Sequence, residues 1–255
     1  MSQSLLKAEH IKISFGNVHA LRDVSLEILH GEIHCLAGEN GCGKSTIIKI
    51  ISGVYQRDGG TIEFNGQKID KISPIDAINL GIQVIYQDFS LFPNMTIAEN
   101  MALADNKGKF FNLRPGKNKQ RIDFYRESLR TLGLGLEDKM GVQVGSLSGG
   151  QRQALALLMA TMTPIDFLIL DEHTAALDPK TAEIIMELTD QVVKEKKVTT
   201  IMVTHNLRYA VEYGNRLIMM HEGKAILDKA GEEKKTINTE EIMAIFNRIS
   251  VECGN

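Results

Sequence analysis

The segment with the clearest chemistry is a glycine-rich run that ends in lysine and serine. It reads Gly38-Glu39-Asn40-Gly41-Cys42-Gly43-Lys44-Ser45 and is followed by Thr46. This spacing is typical of a phosphate-binding loop, in which glycines let successive backbone N–H groups face an anion at the start of a helix. Lys44 would reach the β- and γ-phosphates of a nucleotide. Ser45 would place its hydroxyl on Mg²⁺, with Thr46 as a neighbouring backbone donor.

A second phosphate-binding feature lies far downstream, at the start of an apolar helix. It is the segment Leu147-Ser148-Gly149-Gly150-Gln151-Arg152-Gln153. The two features are too far apart in the sequence to form one loop. The sequence therefore predicts a nucleotide that is held from two sides.

Two adjacent carboxylates end a short apolar run, Phe167-Leu168-Ile169-Leu170-Asp171-Glu172. Neighbouring side chains of a strand point to opposite faces, so the two acids are expected to have different roles. Asp171 would hold Mg²⁺ through water, and Glu172 would orient and polarise the attacking water as a general base. By itself, an acidic strand end is more often only a solvated terminus. The phosphate loop in the same chain favours the catalytic interpretation.

Short strands and helices alternate around these segments. The pattern predicts strands at 7–13, 24–28, 32–37, 61–64, 167–170 and 199–203, and helices at 44–52, 151–162, 179–194 and 239–247. Such alternation is typical of an α/β core with a mostly parallel sheet. We expect a single domain, 1–255, with an N-terminal antiparallel β subdomain and a helical subdomain inserted at approximately 90–160. The basic stretch 106–121 within it is either a solvated loop or a contact with a membrane surface or partner chain.

Composition narrows the class of protein. The chain has 29 Lys and Arg against 32 Asp and Glu, and this near balance argues against nucleic-acid binding by bulk charge. The cysteines, Cys35, Cys42 and Cys253, lack disulfide or metal-site spacing, which favours a reducing compartment. No signal-peptide pattern is present, and no apolar stretch reaches the ~20 residues that a membrane span needs. Any work at a membrane would need spans from another chain.

Taken in order, the loop at 38–45, the segment 147–153 and the strand end at 167–172 resemble the ATP-binding cassette family. The resemblance covers nearly the whole chain. Its specific part is Leu-Ser-Gly-Gly-Gln, because many proteins with the phosphate loop lack that segment. The resemblance implies a P-loop NTPase core that hydrolyses ATP with Mg²⁺.

The resemblance implies roles for four further residues. Phe15 matches the aromatic residue that stacks on adenine, although a core phenylalanine on a strand is the alternative. Gln87 matches the glutamine that senses Mg²⁺ and the attacking water. His205 matches the switch histidine that faces the γ-phosphate, where a structural histidine is the alternative. Asp178 matches the loop that crosses between two cassettes, or caps the helix that starts at Pro179, or does both.

In this family two cassettes pair head to tail, which changes the interpretation of the segment 147–153. Ser148 and Gly150 of one chain would close over ATP held by the 38–46 loop of the other. Lys44 would act in catalysis within its own loop, with Glu172, His205 and Gln87. We therefore expect a homodimer in the presence of ATP, with Ser148 far from Lys44 of its own chain.

The chain lacks fused membrane spans, long heptad runs and a second nucleotide domain. It is therefore similar to the stand-alone ATPase of a bacterial importer, which lies on the cytoplasmic face of the membrane. Its partners would be integral permease subunits and, indirectly, a substrate-binding protein. The alternative is a soluble cassette ATPase that regulates the ribosome or DNA processes, although no nucleic-acid partner is expected. Segment 85–96 resembles sugar importers, whereas 171–179 resembles a smaller group for which amino acids are the candidate cargo.

The sequence departs from the family at two positions. His173 follows Glu172, where the family usually has proline. A titratable group beside the base could give hydrolysis an extra pH dependence between about 5.5 and 7.5, because an ordinary histidine titrates near ~6.5; a tolerated substitution is the simpler alternative. Cys42 lies inside the phosphate loop, and we expect its alkylation to block ATP binding and ATP to protect it.

Overall fold

The computed structural model describes residues 3–86, 91–105 and 119–252, with side chains described over 121–245 in the last range. The chain forms two compact units. The first contains Met1–Gln83, Asp166–Glu172 and Lys197–Asn255, and the second contains Val84–Ile165 and His173–Lys196. Gln87, Cys253 and most of the basic stretch 106–121 lie outside the described residues.

Ten strands form one sheet in the part of the chain that the structure describes. They are β1 (Ser4–Phe15), β2 (Val18–Leu29), β3 (Ile33–Gly38), β4 (Gly59–Phe64), β5 (Gln67–Ile69), β6 (Ile82–Ile85), β7 (Phe167–Asp171), β8 (Thr199–Thr204), β9 (Arg216–His221) and β10 (Lys224–Ala230). Their order across the sheet is β5-β4-β1-β2-β10-β9-β3-β8-β7-β6. The non-consecutive neighbours show that helical crossovers connect the central strands.

The helices are divided between the two units. The first unit contains α1 (Lys44–Ile51), α2 (Pro74–Asn79), α7 (Leu207–Glu212), α8 (Glu232–Thr236) and α9 (Thr239–Glu252), and the second contains α3 (Ile97–Asp105), α4 (Lys119–Arg130), α5 (Gly149–Ala160) and α6 (Pro179–Lys196). Each helix predicted from the sequence is present, and α9 extends further than the apolar pattern indicated.

The N-terminal strands β1, β2, β4 and β5 are antiparallel, and β2 shows why they form. Leu21, Val24, Leu26 and Ile28 of β2 are buried and have exposed neighbours, which is the alternation of a strand with one covered face. The turn between β1 and β2 uses Gly16, whose φ of 58° lies in the left-handed region that glycine adopts at little cost. This hairpin places Phe15 at the last position of β1.

The central strands β3, β7 and β8 are parallel and almost wholly buried. They read as continuous apolar runs because parallel strands are covered on both faces. Strand β3 pairs with β8, and β8 pairs with β7, so the carboxyl ends of all three meet at one edge of the sheet. The predicted α/β class with a mostly parallel core and an antiparallel N-terminal part is therefore confirmed.

The second unit has its own apolar core. Side chains from α3, α4, α5 and α6 pack together, among them Met101, Leu129, Leu155 and Ile185. The carboxyl end of α5 is capped by Lys196, whose Nζ donates to the Thr161 carbonyl oxygen at 2.6 Å. Among the helices that the structure describes, none is long and apolar enough to cross a membrane.

Candidate active site

The phosphate loop connects β3 to α1 at the shared carboxyl edge of the parallel strands. A side chain at Gly38 would place its Cβ 2.5 Å from the Met220 carbonyl oxygen, and one at Gly43 would place it 2.6 Å from Leu21 Cδ2. Gly43 also has a φ of 107°, so both sterics and backbone favour glycine there. Close packing and left-handed backbone therefore explain two of the glycines that the motif contains.

The amino end of α1 is open to an anion. Within α1, which is wholly described, the first turn carries no acidic residue, and Gly43 as the N-cap offers no side-chain acceptor. The first N–H groups of a helix lack acceptors inside the helix, and the helix dipole adds positive charge there. Ser45 and Thr46 lie in this first turn. The loop can therefore bind phosphate through its backbone.

Lys44 lies on the inner side of the loop and is only 4% exposed. Its Nζ donates to the carbonyl oxygens of Gly38 and Glu39, both at 2.8 Å. The same Nζ lies 4.0 Å from Oε1 of Glu172. The loop carbonyl groups therefore hold the Lys44 ammonium group close to Glu172, the predicted catalytic base.

Ser45 and Asp171 form a pair of oxygen ligands across the site. Ser45 Oγ donates to Asp171 Oδ1 at 3.2 Å. Burial raises the pKa of Asp171, and the hydrogen bond from Ser45 partly offsets that rise. No group of three or more His, Cys, Asp or Glu that could hold a metal occurs among the described residues. A hydroxyl with one carboxylate suits Mg²⁺, which commonly takes one or two protein ligands and completes its shell with water and substrate phosphates.

Glu172 follows β7 with a φ of 50°, a left-handed conformation that is costly for a residue with a side chain. Its N–H donates to the Val203 carbonyl oxygen at 3.1 Å, which extends the contact between β7 and β8. Oε2 lies 3.5 Å from Nδ1 of His205, directly after β8. The imidazole is half-exposed, at 53% of its side chain, and can therefore meet a ligand at this edge.

The structure thus brings five predicted residues together in the first unit: Lys44, Ser45, Asp171, Glu172 and His205. They come from the ends of β7 and β8 and from α1, the helix that follows the adjacent strand β3. The arrangement supplies an anion-binding loop, a cation, two metal-type oxygen ligands and a carboxylate that can act as a base. Such a set suits phosphoryl transfer to water.

Phe15 is accessible at the end of β1, with 46% of its surface exposed. Its ring forms an edge contact with Tyr55, with centroids 5.1 Å apart and planes at 64°. It is therefore not a core phenylalanine. No sequence motif indicates Tyr55, because a single tyrosine between a helix and a strand carries no pattern of its own.

Ser148 and Gly150 lie at the start of α5 in the second unit. Ser148 caps the helix, since its Oγ accepts from Gln151 N at 3.2 Å and Gln151 Oε1 accepts from Ser148 N at 3.2 Å. Gly150 is buried, and a Cβ there would lie 2.5 Å from Cγ2 of Thr181 on α6. Both residues therefore have a local structural role, and their predicted contact with a partner's nucleotide stays a prediction.

Asp178 is a helix cap, which is one of the two roles considered for it. Its Oδ1 accepts from Thr181 N at 3.1 Å, and hydrogen bonds from Thr181 lower the pKa of the carboxyl group. A role in crossing between two cassettes stays a prediction.

The structure contradicts the pH role considered for His173. The side chain is buried in the second unit, and burial lowers its pKa to about 4. Nε2 lies 3.3 Å from Thr189 Oγ1, and that hydroxyl donates to the Ile185 carbonyl oxygen at 2.7 Å. The imidazole is therefore neutral throughout the range from about 5.5 to 7.5. It has a packing role in place of a titrating one.

Cys42 is also buried, and burial raises the pKa of its thiol. Because the thiolate is the species that reacts with alkylating agents, modification at neutral pH should be slow. The effect of alkylation on ATP binding stays a prediction, and its test needs high pH or long exposure.

Comparison with known proteins places this geometry in a family. A family model described as "ABC transporter" matches residues 21–175. A tyrosine transport ATP-binding protein of Clostridioides difficile is 39% identical over 95% of this chain and 98% of its own length. A xylose/arabinose import ATP-binding protein of Sulfolobus acidocaldarius is 38% identical over 98% of both chains.

Solved structures give the same result. An ATP-binding cassette of an ABC transporter in its ADP conformation matches with a TM-score of 0.82, at 25% identity over the full length of both chains. A dimeric cassette in a post-hydrolysis state with ADP and phosphate matches with a TM-score of 0.74, at 27% identity over 88% of this chain and 98% of that one. Given this site, this sequence similarity and this fold, the chain belongs to the ABC transporter family and is an ATP-binding, ATP-hydrolysing member of it.

Proposed function

We propose that this chain is the ATPase subunit of an importer, which hydrolyses ATP to energise the passage of a solute across the cytoplasmic membrane through separate permease subunits. The observation that carries the proposal is the meeting of Lys44, Ser45, Asp171, Glu172 and His205 at one sheet edge. The import activity named for the Sulfolobus relative supports the direction of transport. The chain acts as one domain, 1–255, in which the region of approximately 90–160 is the helical insertion.

The phosphates of ATP bind along the loop 38–46, where backbone N–H groups and Lys44 offset their charge. Ser45 and Asp171 would hold Mg²⁺. The role of Gln87 as a further ligand stays a prediction. When bound, Mg²⁺ offsets negative charge on the phosphate oxygens. Phe15 stacks on the adenine ring.

Glu172 accepts a proton from the attacking water and orients it toward the γ-phosphate. Its left-handed backbone and its neighbours Lys44 and His205 fix where the carboxylate points. His205 donates from its exposed ring toward the γ-phosphate oxygens. Little covalent chemistry is required of the protein, because phosphoryl transfer depends chiefly on positioning and charge stabilisation.

The functional unit is a dimer in which Ser148 and Gly150 of each chain complete the ATP site of the other. Ser148 is exposed at the N-cap of α5, and the first N–H groups of a helix lack acceptors inside the helix, so the start of α5 would be a second anion-binding end. The related dimeric cassette supports this assembly. ATP then favours the closed pair, and hydrolysis releases it.

The catalytic test is the substitution Glu172→Gln, which keeps the side-chain shape and removes the base. We expect ATP binding to persist and hydrolysis to fall by about two to four orders of magnitude. Glu63→Gln on β4 is the matched control, because it makes the same change away from the carboxyl ends of the parallel strands. Near-parental hydrolysis by Glu172→Gln would show that another group is the base.

The alternative function is that of a cassette ATPase that regulates the ribosome or DNA processes without transport. Purification from gently solubilised membranes separates the two functions. An importer subunit should copurify with an integral membrane protein and lie on the cytoplasmic face. Recovery with ribosomes or DNA and without membrane protein would favour the alternative. The Clostridioides relative is named for tyrosine transport and the Sulfolobus relative for xylose/arabinose import. An amino acid and a pentose are therefore the first solutes to test for transport.

A further inference from the structure

We infer that Tyr55 is a positioning residue for the nucleotide base, because it fixes the ring of Phe15 relative to the phosphate-binding helix. The inference rests on the proposed function, in which Phe15 stacks on adenine. It assigns a role to a residue outside every motif in the chain. The rings of Phe15 and Tyr55 lie 5.1 Å apart at 64°, so a planar base that stacks on one cannot stack on the other.

Exposure and charge decide which ring is free to receive the base. Phe15 is 46% exposed, whereas Tyr55 is only partly exposed. Lys49 Nζ lies 5.4 Å from the centroid of the Tyr55 ring, a cation–π contact that occupies one side of it. Tyr55 therefore supports Phe15 and is not itself the stacking surface.

The backbone around Tyr55 is anchored to the end of α1. The N–H groups of Val54 and Tyr55 donate to the Lys49 carbonyl oxygen at 2.8 and 3.0 Å. Lys49 belongs to the last turn of the same helix whose first turn contains Lys44 and Ser45. Tyr55 is thus held at one end of α1, and the phosphate loop is held at the other.

The segment 55–58 also forms hydrogen bonds with β1, the strand that ends in Phe15. Asp58 Oδ2 accepts from Ser14 N at 2.7 Å, and Asp58 N donates to the Lys12 carbonyl oxygen at 2.8 Å. Segment 55–58 therefore contacts β1 through a ring and through two hydrogen bonds. This segment sets the distance between the surface for the base and the loop for the phosphates.

The test compares binding of ADP with binding of pyrophosphate, which has the phosphates without the base. Both are measured by calorimetry on the full chain. Tyr55→Leu should weaken ADP binding by roughly two- to tenfold, the range expected for loss of an aromatic pair. Pyrophosphate affinity should stay unchanged, and the KM for ATP should rise with no change in kcat. Tyr55→Phe keeps the ring and should bind ADP with the affinity of the parent. If Tyr55→Leu does not fold, Tyr55→Met is a second variant without the ring.

Unchanged ADP affinity in the ring-free variant would overturn the inference. An equal loss of ADP and pyrophosphate affinity would also overturn it, because that result indicates general damage to the loop. The variant Phe15→Ala separates failure of the inference about Tyr55 from failure of the proposal that adenine stacks on Phe15. If Phe15→Ala weakens ADP binding and Tyr55→Leu does not, only the inference is wrong. If Phe15→Ala has no effect on ADP binding, both are wrong.

Discussion

At the scale of single residues, Asp171 and Glu172 show how neighbouring carboxylates acquire different properties. Asp171 ends β7, is buried and has a raised pKa, with Ser45 Oγ as its donor. Glu172 leaves the strand with a φ of 50°, which directs its carboxylate toward Lys44 and His205. Asp171 is thus suited to the proposed role of metal ligand and Glu172 to the proposed role of base, although the two acids are adjacent in the sequence.

His173 gives a prediction about pH and stability. Its folded-state pKa, about 4, lies below the ordinary value of 6.5, so the unfolded chain binds a proton first as pH falls. Stability is therefore fully present above pH 6.5 and is lost as pH falls from there toward 4. The slope is that of one proton, about 1.4 kcal/mol per pH unit.

His173→Gln keeps a neutral polar side chain beside Thr189 and removes the titration. In urea unfolding measured at several pH values, we expect the parent to lose stability relative to this variant between pH 6.5 and 4. The rate–pH profiles of ATP hydrolysis should superimpose between about 5.5 and 7.5, since the histidine is neutral there. Distinct profiles in that range would show that His173 titrates near the base after all.

The sequence predicts a functional residue wherever one short motif contains all the residues that indicate its role. The phosphate-loop motif identifies Lys44 and Ser45 in this way. The parallel pairing of β3, β7 and β8 brings Asp171, Glu172 and His205 to the same edge of the sheet. No local pattern indicates Tyr55, because its contact with Phe15 joins parts of the chain that are distant in sequence. For a related reason, the sequence leaves open whether His173 titrates beside the base or is a tolerated substitution: its burial depends on packing against α6, which no local pattern contains.

At the scale of secondary-structure elements, the start of α5 has two requirements. In the proposed dimer its first turn presents N–H groups to an anion, and within its own chain it packs closely on α6. Gly150 serves the second requirement, because any Cβ would lie 2.5 Å from the stiff, β-branched Thr181. At Gly149 the nearest atom is Leu177 Cδ2, 2.8 Å away at the end of a flexible side chain.

This difference predicts unequal effects of two similar substitutions. Gly150→Ala should lower the free energy of unfolding by ~1–3 kcal/mol through overpacking, and Gly149→Ala should cost less. Thr181→Ser removes Cγ2, so the double variant Gly150→Ala, Thr181→Ser should recover most of the loss. Urea unfolding of the parent, Gly150→Ala, Thr181→Ser and the double variant measures this coupling, and Gly149→Ala is measured beside them. Equal costs at the two glycines, with no recovery in the double variant, would contradict the packing explanation.

At the scale of the whole molecule, the proposed site is complete only when two chains meet. Ser148 is exposed and caps the start of α5, so its surface is available to a second copy. In the proposed pair it approaches the nucleotide of the partner. Introducing an arginine at this point should obstruct closure and leave the chain's own phosphate loop intact.

The prediction is tested on the slow variant Glu172→Gln, in which ATP persists long enough to be observed. By sedimentation, this variant should be dimeric with ATP and monomeric with ADP. Adding Ser148→Arg should keep ATP binding and abolish the dimer, because the side chain fills the space where the two chains close. Ser128→Arg on α4, where the side chain is partly exposed, adds the same charge elsewhere and should still dimerise. If the Ser148→Arg protein also forms an ATP-dependent dimer, the start of α5 does not lie against the partner's nucleotide, and the shared active site is wrong.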